Sequence, residues 1–428
     1  MFSAFQTFGR LGAGARAVAA AWSPRALWPT GTEAGMWIDP SNLTASWADY
    51  TGTTPVATPG SVADSANPVG LALDIRAGAP EVLGPELVVN GDFSAGTTGW
   101  EPGILQGIPA NITLTADTTI FPSGGMKISA ADYPAAGQTL SGLTVGKWYV
   151  ASCSIYSDSL KASILIGSSI YASHESLHRV SRTNEVENLS CFFVATSATM
   201  TVWCAKVGLD VGWQSGDFYV SNISVREVPG NHLLQATSTA RPLLSAYDGQ
   251  TLGPGDTYPP TGFPIYQKYD GTDDGMATAS FAAGTLTSAM DCMIAVRRDA
   301  GANAVCGLYE SVSDANKVFG IAESGSGAGC VGSGAGTPTV WVDGAQLTGG
   351  TAVTRGTLHA ALTVGDWHIL ELRGLDLSTW TAAGAGLYTS YVLNGAQGGI
   401  LLYPSTDPTE DKDAARQWLA DYYGVTLP

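Results

Sequence analysis

Charge is what this 428-residue chain has least of. Only 13% of its residues are Asp, Glu, Lys or Arg, against about 25% in an ordinary soluble protein. Positive charge is the scarcer sign: 20 Lys and Arg face 37 Asp and Glu, a formal net charge of −17. A polyanion or an anionic bilayer needs a basic face, so nucleic acid and charged membrane are excluded as partners. No apolar run approaches the ~18 residues that would span a bilayer, which excludes membrane insertion. The six cysteines, Cys153, Cys191, Cys204, Cys292, Cys306 and Cys330, include no Cys-x-x-Cys pair and no Cys/His cluster with zinc spacing. Their even count permits disulfides, but Cys153, Cys191 and Cys204 sit inside apolar runs, as free buried thiols do, and assembly in a reducing cytoplasm fits free thiols. No Gly-x-Ser-x-Gly occurs, and no enzyme is expected.

What is present is glycine, 53 residues of it, within a composition that is 45% hydrophobic. Short strands joined by tight turns produce such a composition, and the fold class expected is all-β. The length implies two to four domains. Residues 1–30 are rich in Ala, Gly and Arg and read as a short, weakly helical N-terminal arm. Arg16 interrupts its apolar stretch and Pro24-Arg25 follows, which is unlike a secretion signal. Residues 31–85 read as short strands and turns, with Pro80 to Pro85 as a linker. Residues 86–228 form the next unit, in which Lys147 to Tyr156 alternates as a half-buried strand does and Phe218 to Glu227 closes the unit. Residues 229–239, with Pro229-Gly230-Asn231, read as a linker. Residues 240–428 form the last unit, and only near its end does a helical period appear. Thr409 to Tyr423 has acids in its first turn, Thr409 or Asp407 as cap and Gly424 as its stop. Ala415, Trp418, Leu419 and Tyr422 share the face expected to pack on a sandwich.

The middle unit opens on Leu87-Val88-Val89-Asn90-Gly91-Asp92-Phe93-Ser94 with Gly99-Trp100 and ends on Asp217-Phe218-Tyr219-Val220-Ser221-Asn222-Ile223-Ser224-Val225-Arg226. It resembles the carbohydrate-binding modules of the galactose-binding-like jelly-roll group. The resemblance implies a two-sheet sandwich whose first and last strands pair, and a structural Ca2+ with Asn90, Asp92 and Asp217 as ligands. Ser221 departs from the group, which often has an acid there. The last unit holds Tyr269-Asp270-Gly271-Thr272-Asp273-Asp274-Gly275-Met276 and ends on Gly398 to Tyr403, the helix and Tyr423 to Leu427. It resembles concanavalin A/laminin-G-like sandwiches, and it lacks the Glu-x-Asp-x-x-Glu strand of the laminarinase-type relatives. Residues 36–74 are similar to the N-terminal segment of tail-fibre-like phage proteins, which implies that residues 31–85 are a virion-attachment segment of short strands. The order of these matches implies a tail fibre or spike: a virion protein with an N-terminal anchoring arm, two tandem β-sandwich (jelly-roll) domains and one C-terminal helix.

A sugar site needs flat aromatics for pyranose faces and polar groups for hydroxyls. Trp213, beside Gly212 and ahead of Gln214-Ser215-Gly216, reads as an exposed loop aromatic. Tyr171 and His174 lie in a polar stretch, and Trp148 and Tyr149 complete the candidates, although strand aromatics are more often core. Phe93 and Trp100 are assigned to the core. Asp270, Asp273 and Asp274 read as a tight hairpin turn rather than a cation site. Glu371, with Arg373 two residues on, reads as an ion pair on the solvent face. The function expected is binding of host surface polysaccharide by a virion protein, on the phage tail, assembled in the host cytoplasm beside other virion proteins. The resemblance to phage fibres implies a homo-oligomer, a trimer. Alternatives are a capsid or collar decoration protein, a polysaccharide depolymerase and a secreted lectin.

Overall fold

The structure, a computed structural model, describes residues 22–56, 67–103, 111–131, 134–160, 162–169, 173–206, 216–245, 264–281, 284–299, 303–305, 308–310, 316–347, 353–388, 391–406 and 409–428. It is nearly all β, built of antiparallel sheets. Three short strands come first: β1 (Met36–Ile38), β2 (Ser46–Trp47) and β3 (Leu71–Ala72). The middle unit follows with β4 (Glu101–Pro102), β5 (Thr113–Asp117), β6 (Gly125–Ser129), β7 (Ala135–Ser141), β8 (Trp148–Ser157), β9 (Ala162–Ser169), β10 (Ser173–Arg179), β11 (Val186–Val194), β12 (Thr199–Lys206) and β13 (Phe218–Val228). They form two five-stranded sheets, ordered β10-β9-β12-β7-β4 and β11-β8-β13-β6-β5.

Alternation decides which side chains enter this sandwich. From β8 Ala151, Cys153 and Ile155 point inward, and from β12 Met200, Val202 and Cys204 meet them. The Asn90-Gly91-Asp92-Phe93 motif has a physical reason. Asn90 and Phe93 both hold positive φ, 55° and 56°, which curls the chain so that the Phe93 ring enters the core 5.6 Å from that of Trp100. Gly91 lies so close to β13 that a Cβ would sit 1.9 Å from the Ile223 carbonyl oxygen. Here β13 bulges between Ser221 and Ser224, and Ile223 N–H donates to Gly91 O at 2.9 Å. Leu87 N–H donates to Val225 O, so the opening segment pairs with the last strand.

The last unit begins earlier than its sequence suggests. Its strands β14 (Leu233–Leu234), β15 (Leu243–Ser245), β16 (Tyr266–Asp270), β17 (Met276–Thr278) and β18 (Met290–Arg298) precede the long strands Trp367–Leu375 and Asn394–Pro404. One sheet runs β15, β16, Asn394–Pro404, β18, Trp367–Leu375, Thr339–Val342 and Ala345–Gln346, and β1 adds to Asn394–Pro404. The facing sheet runs β2, β3, β14, β17, Gly384–Ala385 and Leu308–Tyr309. Two expectations are thereby corrected. Residues 31–85 are no separate attachment segment, because β1, β2 and β3 are strands of the last sandwich and Met36, Ile38, Val69 and Ala72 belong to its core. Residues 229–239 are no free linker, because β14 joins β3 to β17. Between β16 and β17 the chain crosses from one sheet to the other, so Asp270 to Gly275 is a corner and not a hairpin.

The same N-terminal stretch also touches the middle unit. Phe192 N–H donates to Thr51 O at 2.7 Å, and the Phe192 ring lies 4.7 Å from that of Trp47. One apolar cluster contains Leu71 and Leu73, Trp148 and Phe192 of the middle unit, and Tyr266, Met293 and Leu401 of the last. Helix α2 (Thr409–Tyr423) forms where expected, and Ala415, Leu419 and Tyr423 complete that cluster. Helix α1 (Arg355–Ala361), capped by Thr354 accepting from Thr357 N–H, was not expected from the sequence. Of the N-terminal arm, residues 1–21 lie outside the described residues, and Pro24–Leu27 is a 3₁₀ turn against α2 and Asn394–Pro404.

Candidate carbohydrate-binding face

The expected aromatics part company. Trp148 and Tyr149 are 4% and 2% exposed, so neither offers a ring face to a sugar. Trp148 packs edge-on against His232 at the junction of the units. Tyr149 stacks on Phe193 in the middle core, and its hydroxyl accepts from Thr144 N–H at 2.9 Å. Trp213 and Tyr171 lie outside the described residues. His174 lies on β10 opposite Gly167.

The sheet carrying β10 presents an aromatic that was not among the candidates read from the sequence, Trp203 on β12. On β12, Met200, Val202 and Cys204 point inward, so Thr201, Trp203 and Ala205 point to the outer face. Register places one row across the whole sheet: Leu177 on β10, Leu165 on β9, Trp203 on β12, Gly137 on β7 and Glu101 on β4. The Trp203 indole lies over Gly137, where a Cβ would stand 2.3 Å from the ring. Leu165, Ala135 and Ala205 are buried around it, with Leu177 packed alongside. Trp203 is half-buried, and its Nε1–H has no hydrogen-bond partner among the described residues. Glu101 and Thr139 are exposed on the same face, and Thr201 and Arg179 half-buried. An indole flat on a sheet, bordered by hydroxyls, a carboxylate and a guanidinium, is what sugar recognition requires. The signal was legible: Trp203 shares the phase of Thr201, opposite to Val202 and Cys204.

The three residues expected to hold Ca2+ do not form a ligand set. The Asn90 carboxamide is taken up by its own turn, donating to Gly96 O and Thr98 O and accepting from Ala95 N–H. Asp217 pairs with Lys127 at 2.6 Å, a contact that lowers its pKa. Asp92 accepts from the backbone and hydroxyl of Ser94, which lower its pKa in turn. Ser221, where the group often has an acid, donates its hydroxyl to Gly124 O. Asn90 and Asp92 do line an open groove of roughly 380 Å³ with Glu86, Asn222, Ser224 and Arg226. The Glu86 carboxylate there ties the opening segment to β13 through Ser224, Val225 N–H and Arg226. Among the described residues the one carboxylate, histidine or cysteine cluster close enough to share an ion is Asp270, Asp273 and Asp274, within 4.8 Å of one another. Burial, then the neighbouring Asp270 and Asp273, push Asp274 up to about 7, against hydrogen bonding from Asp270 N–H.

Two side-chain arrangements of the kind used in catalysis are closed. Glu371 is not on a solvent face. It is 1% exposed beneath α2 and meets both Arg373 and Arg416, at 2.6 and 2.9 Å. Asp291 on the adjacent strand is equally buried and takes Lys412, Ser405 and Gly374 N–H. Asp343 meets His368 Nδ1 at 2.7 Å, yet His368 Nε2 already accepts from Thr363 N–H. A general base needs a free lone pair in reach of substrate, and this imidazole has none.

No family model matches the chain, and no curated protein matches it. Solved structures do. A CBM4 structure is 14% identical, covering 33% of this chain and 99% of its own, with a TM-score of 0.26. The CBM22-1-CBM22-2 tandem domain of Paenibacillus barcinonensis Xyn10C is 11% identical, covering 75% and 98%, with a TM-score of 0.28. The enzymatically active domain of bacteriophage CBA120 tailspike protein 4 is 9% identical, covering 33% and 21%, with a TM-score of 0.25.

Proposed function

We propose that this chain is a sugar-binding structural protein of a phage particle, a tail fibre or spike, whose middle sandwich engages host surface polysaccharide through the Trp203 face. The observation that carries the binding reading is the row Leu177, Leu165, Trp203, Gly137, Glu101. Glycine beneath an indole has no packing advantage in a sheet, but it lets the ring lie flat and present one face. The saturated carboxylates Asp291 and Glu371 support a binding protein over a depolymerase. The virion reading rests on the order of the three sequence resemblances. A single face of this size binds weakly, and a homo-oligomer, a trimer, gains avidity from several linked copies.

Affinity electrophoresis through gels containing host surface polysaccharide tests the site. Trp203→Ala is expected to weaken retention at least tenfold, a loss of about 1.4 kcal/mol, with the far-UV spectrum and melting temperature close to those of the parent. Gly137→Val, which lifts the indole off the sheet, is expected to weaken retention comparably without altering residue 203 itself. Unchanged retention in both variants sinks the assignment of this face. Immunogold labelling of purified particles tests the location separately: label at the tail supports the fibre reading, label on the head or collar makes the chain a decoration protein, and no label removes it from the particle.

A further inference from the structure

The middle core holds three cysteines that the binding face does not use. Cys153 points inward from β8, Cys191 from the neighbouring β11, and Cys204 from β12 of the facing sheet. On the β8–β11 ladder Cys153 stands opposite Leu189 and Cys191 opposite Ala151, so these two are diagonal neighbours in one sheet. Cys204 comes to them across the sandwich, its sulfur within hydrogen-bonding reach of the Cys153 thiol. All three are free thiols in this structure. Among the described residues they do not meet the ligand spacing of a shared metal.

We propose that Cys153 and Cys204 are an oxidation site: folding in the presence of a small-molecule disulfide joins them into an inter-sheet bond that staples the middle sandwich, and folding under reducing conditions leaves the dithiol. The balance is that of thiol–disulfide exchange. Two thiols lose their protons and two electrons, one S–S bond forms, and the oxidant's S–S bond breaks to give two small thiols. Cys153 and Cys204 are 3% and 0% exposed, and burial pushes the Cys153 thiol well above its ordinary range. Thiolate attack inside the finished sandwich is therefore suppressed, and the bond forms while β8 and β12 are still docking. Cys191 is the weaker partner for Cys153, because the Cys204 sulfur comes within hydrogen-bonding reach of that thiol and the Cys191 sulfur does not. The partners are about 50 residues apart in the chain, and closing so long a loop restricts the unfolded ensemble substantially.

The full chain is refolded from denaturant in a mixture of oxidised and reduced glutathione, and in parallel with a phosphine reductant. Each product is alkylated while denatured and mapped by mass spectrometry without reduction. The expected result is a peptide pair linked through Cys153 and Cys204 in the first product only, with a melting temperature about 10 °C higher. Cys204→Ala is expected to lose the linked pair and the rise together, and Cys191→Ala to keep both. Full alkylation of all cysteines after oxidative refolding overturns the proposal, as does linkage through any other pair. Mapping the parent chain decides the matter even if a variant fails to fold.

Discussion

Asp74→Ala is expected to lower the folding free energy by about 3–5 kcal/mol and the melting temperature by roughly 10 °C. Asp74 is fully buried where the last sandwich, the N-terminal strands and the middle unit converge. Its Oδ1 accepts from Trp37 N–H at 2.9 Å and Arg76 N–H at 3.1 Å. Its Oδ2 accepts from Asn231 N–H at 2.8 Å and from the Arg76 guanidinium at 2.9 Å. Its own N–H donates to His232 Nδ1. One carboxylate thus fixes the strand following Gly35, the chain leaving β3 and the turn after β13. Alanine leaves three backbone N–H groups and the Nε–H of the Arg76 guanidinium without that acceptor, and orphaned buried donors cost far more than an average hydrogen bond contributes. Asp74→Asn, which retains one acceptor oxygen, is expected to fall between parent and Ala. Urea unfolding followed by tryptophan fluorescence measures both. A loss below 1 kcal/mol for Asp74→Ala would show that the junction is held by apolar packing alone.

What the sequence declared and what it concealed divide along one physical line, the range of the contacts involved. Helix α2 was legible to the residue because its period, first-turn acids and terminal glycine are all local. Strands β8 and β13 were legible because each is a continuous run of ten or eleven strand-forming residues that alternates over part of its length. The partnership of β1 with Asn394–Pro404 joins residues more than 360 apart, and nothing in Met36-Trp37-Ile38 names that partner. The segment was therefore read as an arm when it is part of two cores. The corner at Asp270 to Gly275 carries the same Asp and Gly residues as a hairpin turn, and only the choice of partner strands separates them. Trp203 is the instructive case at the site. Its phase on β12 was visible, but an outward indole needs somewhere to lie, and Gly137 supplies that place from a strand some sixty residues earlier. Trp148 failed for the converse reason: its ring is covered by His232 and by a cluster that two other units assemble.

Stability is expected to respond to pH through two groups that pull in opposite directions. His232 is completely buried. Desolvation brings its pKa down from 6.5 to about 4, partly opposed by Asp74 and by the hydrogen bond to Val228 O, with Arg76 and Lys147 adding to the depression. The unfolded chain therefore takes up a proton near 6.5 that the folded chain refuses until about 4, and stability falls as pH drops through that interval. The full interval corresponds to roughly 3 kcal/mol at most. Asp274 behaves inversely. Burial and the neighbouring Asp270 and Asp273 raise it from 3.8 to about 7, so the folded chain holds a proton that the unfolded chain has released. Stability then falls as pH rises between those values. The two slopes oppose each other from about 4 to 6.5, and the parent is expected to be flatter there than either group alone would make it. Asp274→Asn removes one slope: its advantage over the parent is expected to grow from pH 4 upward and to level off above 7. His232→Gln removes the other, and its difference from the parent is expected to shift in the variant's favour as pH falls from 6.5 to 4. Urea midpoints between pH 4 and 8 read both effects. Profiles parallel to the parent's in both variants would mean that neither proton is linked to folding, and that the junction and the Asp270–Gly275 corner open to water before the chain unfolds.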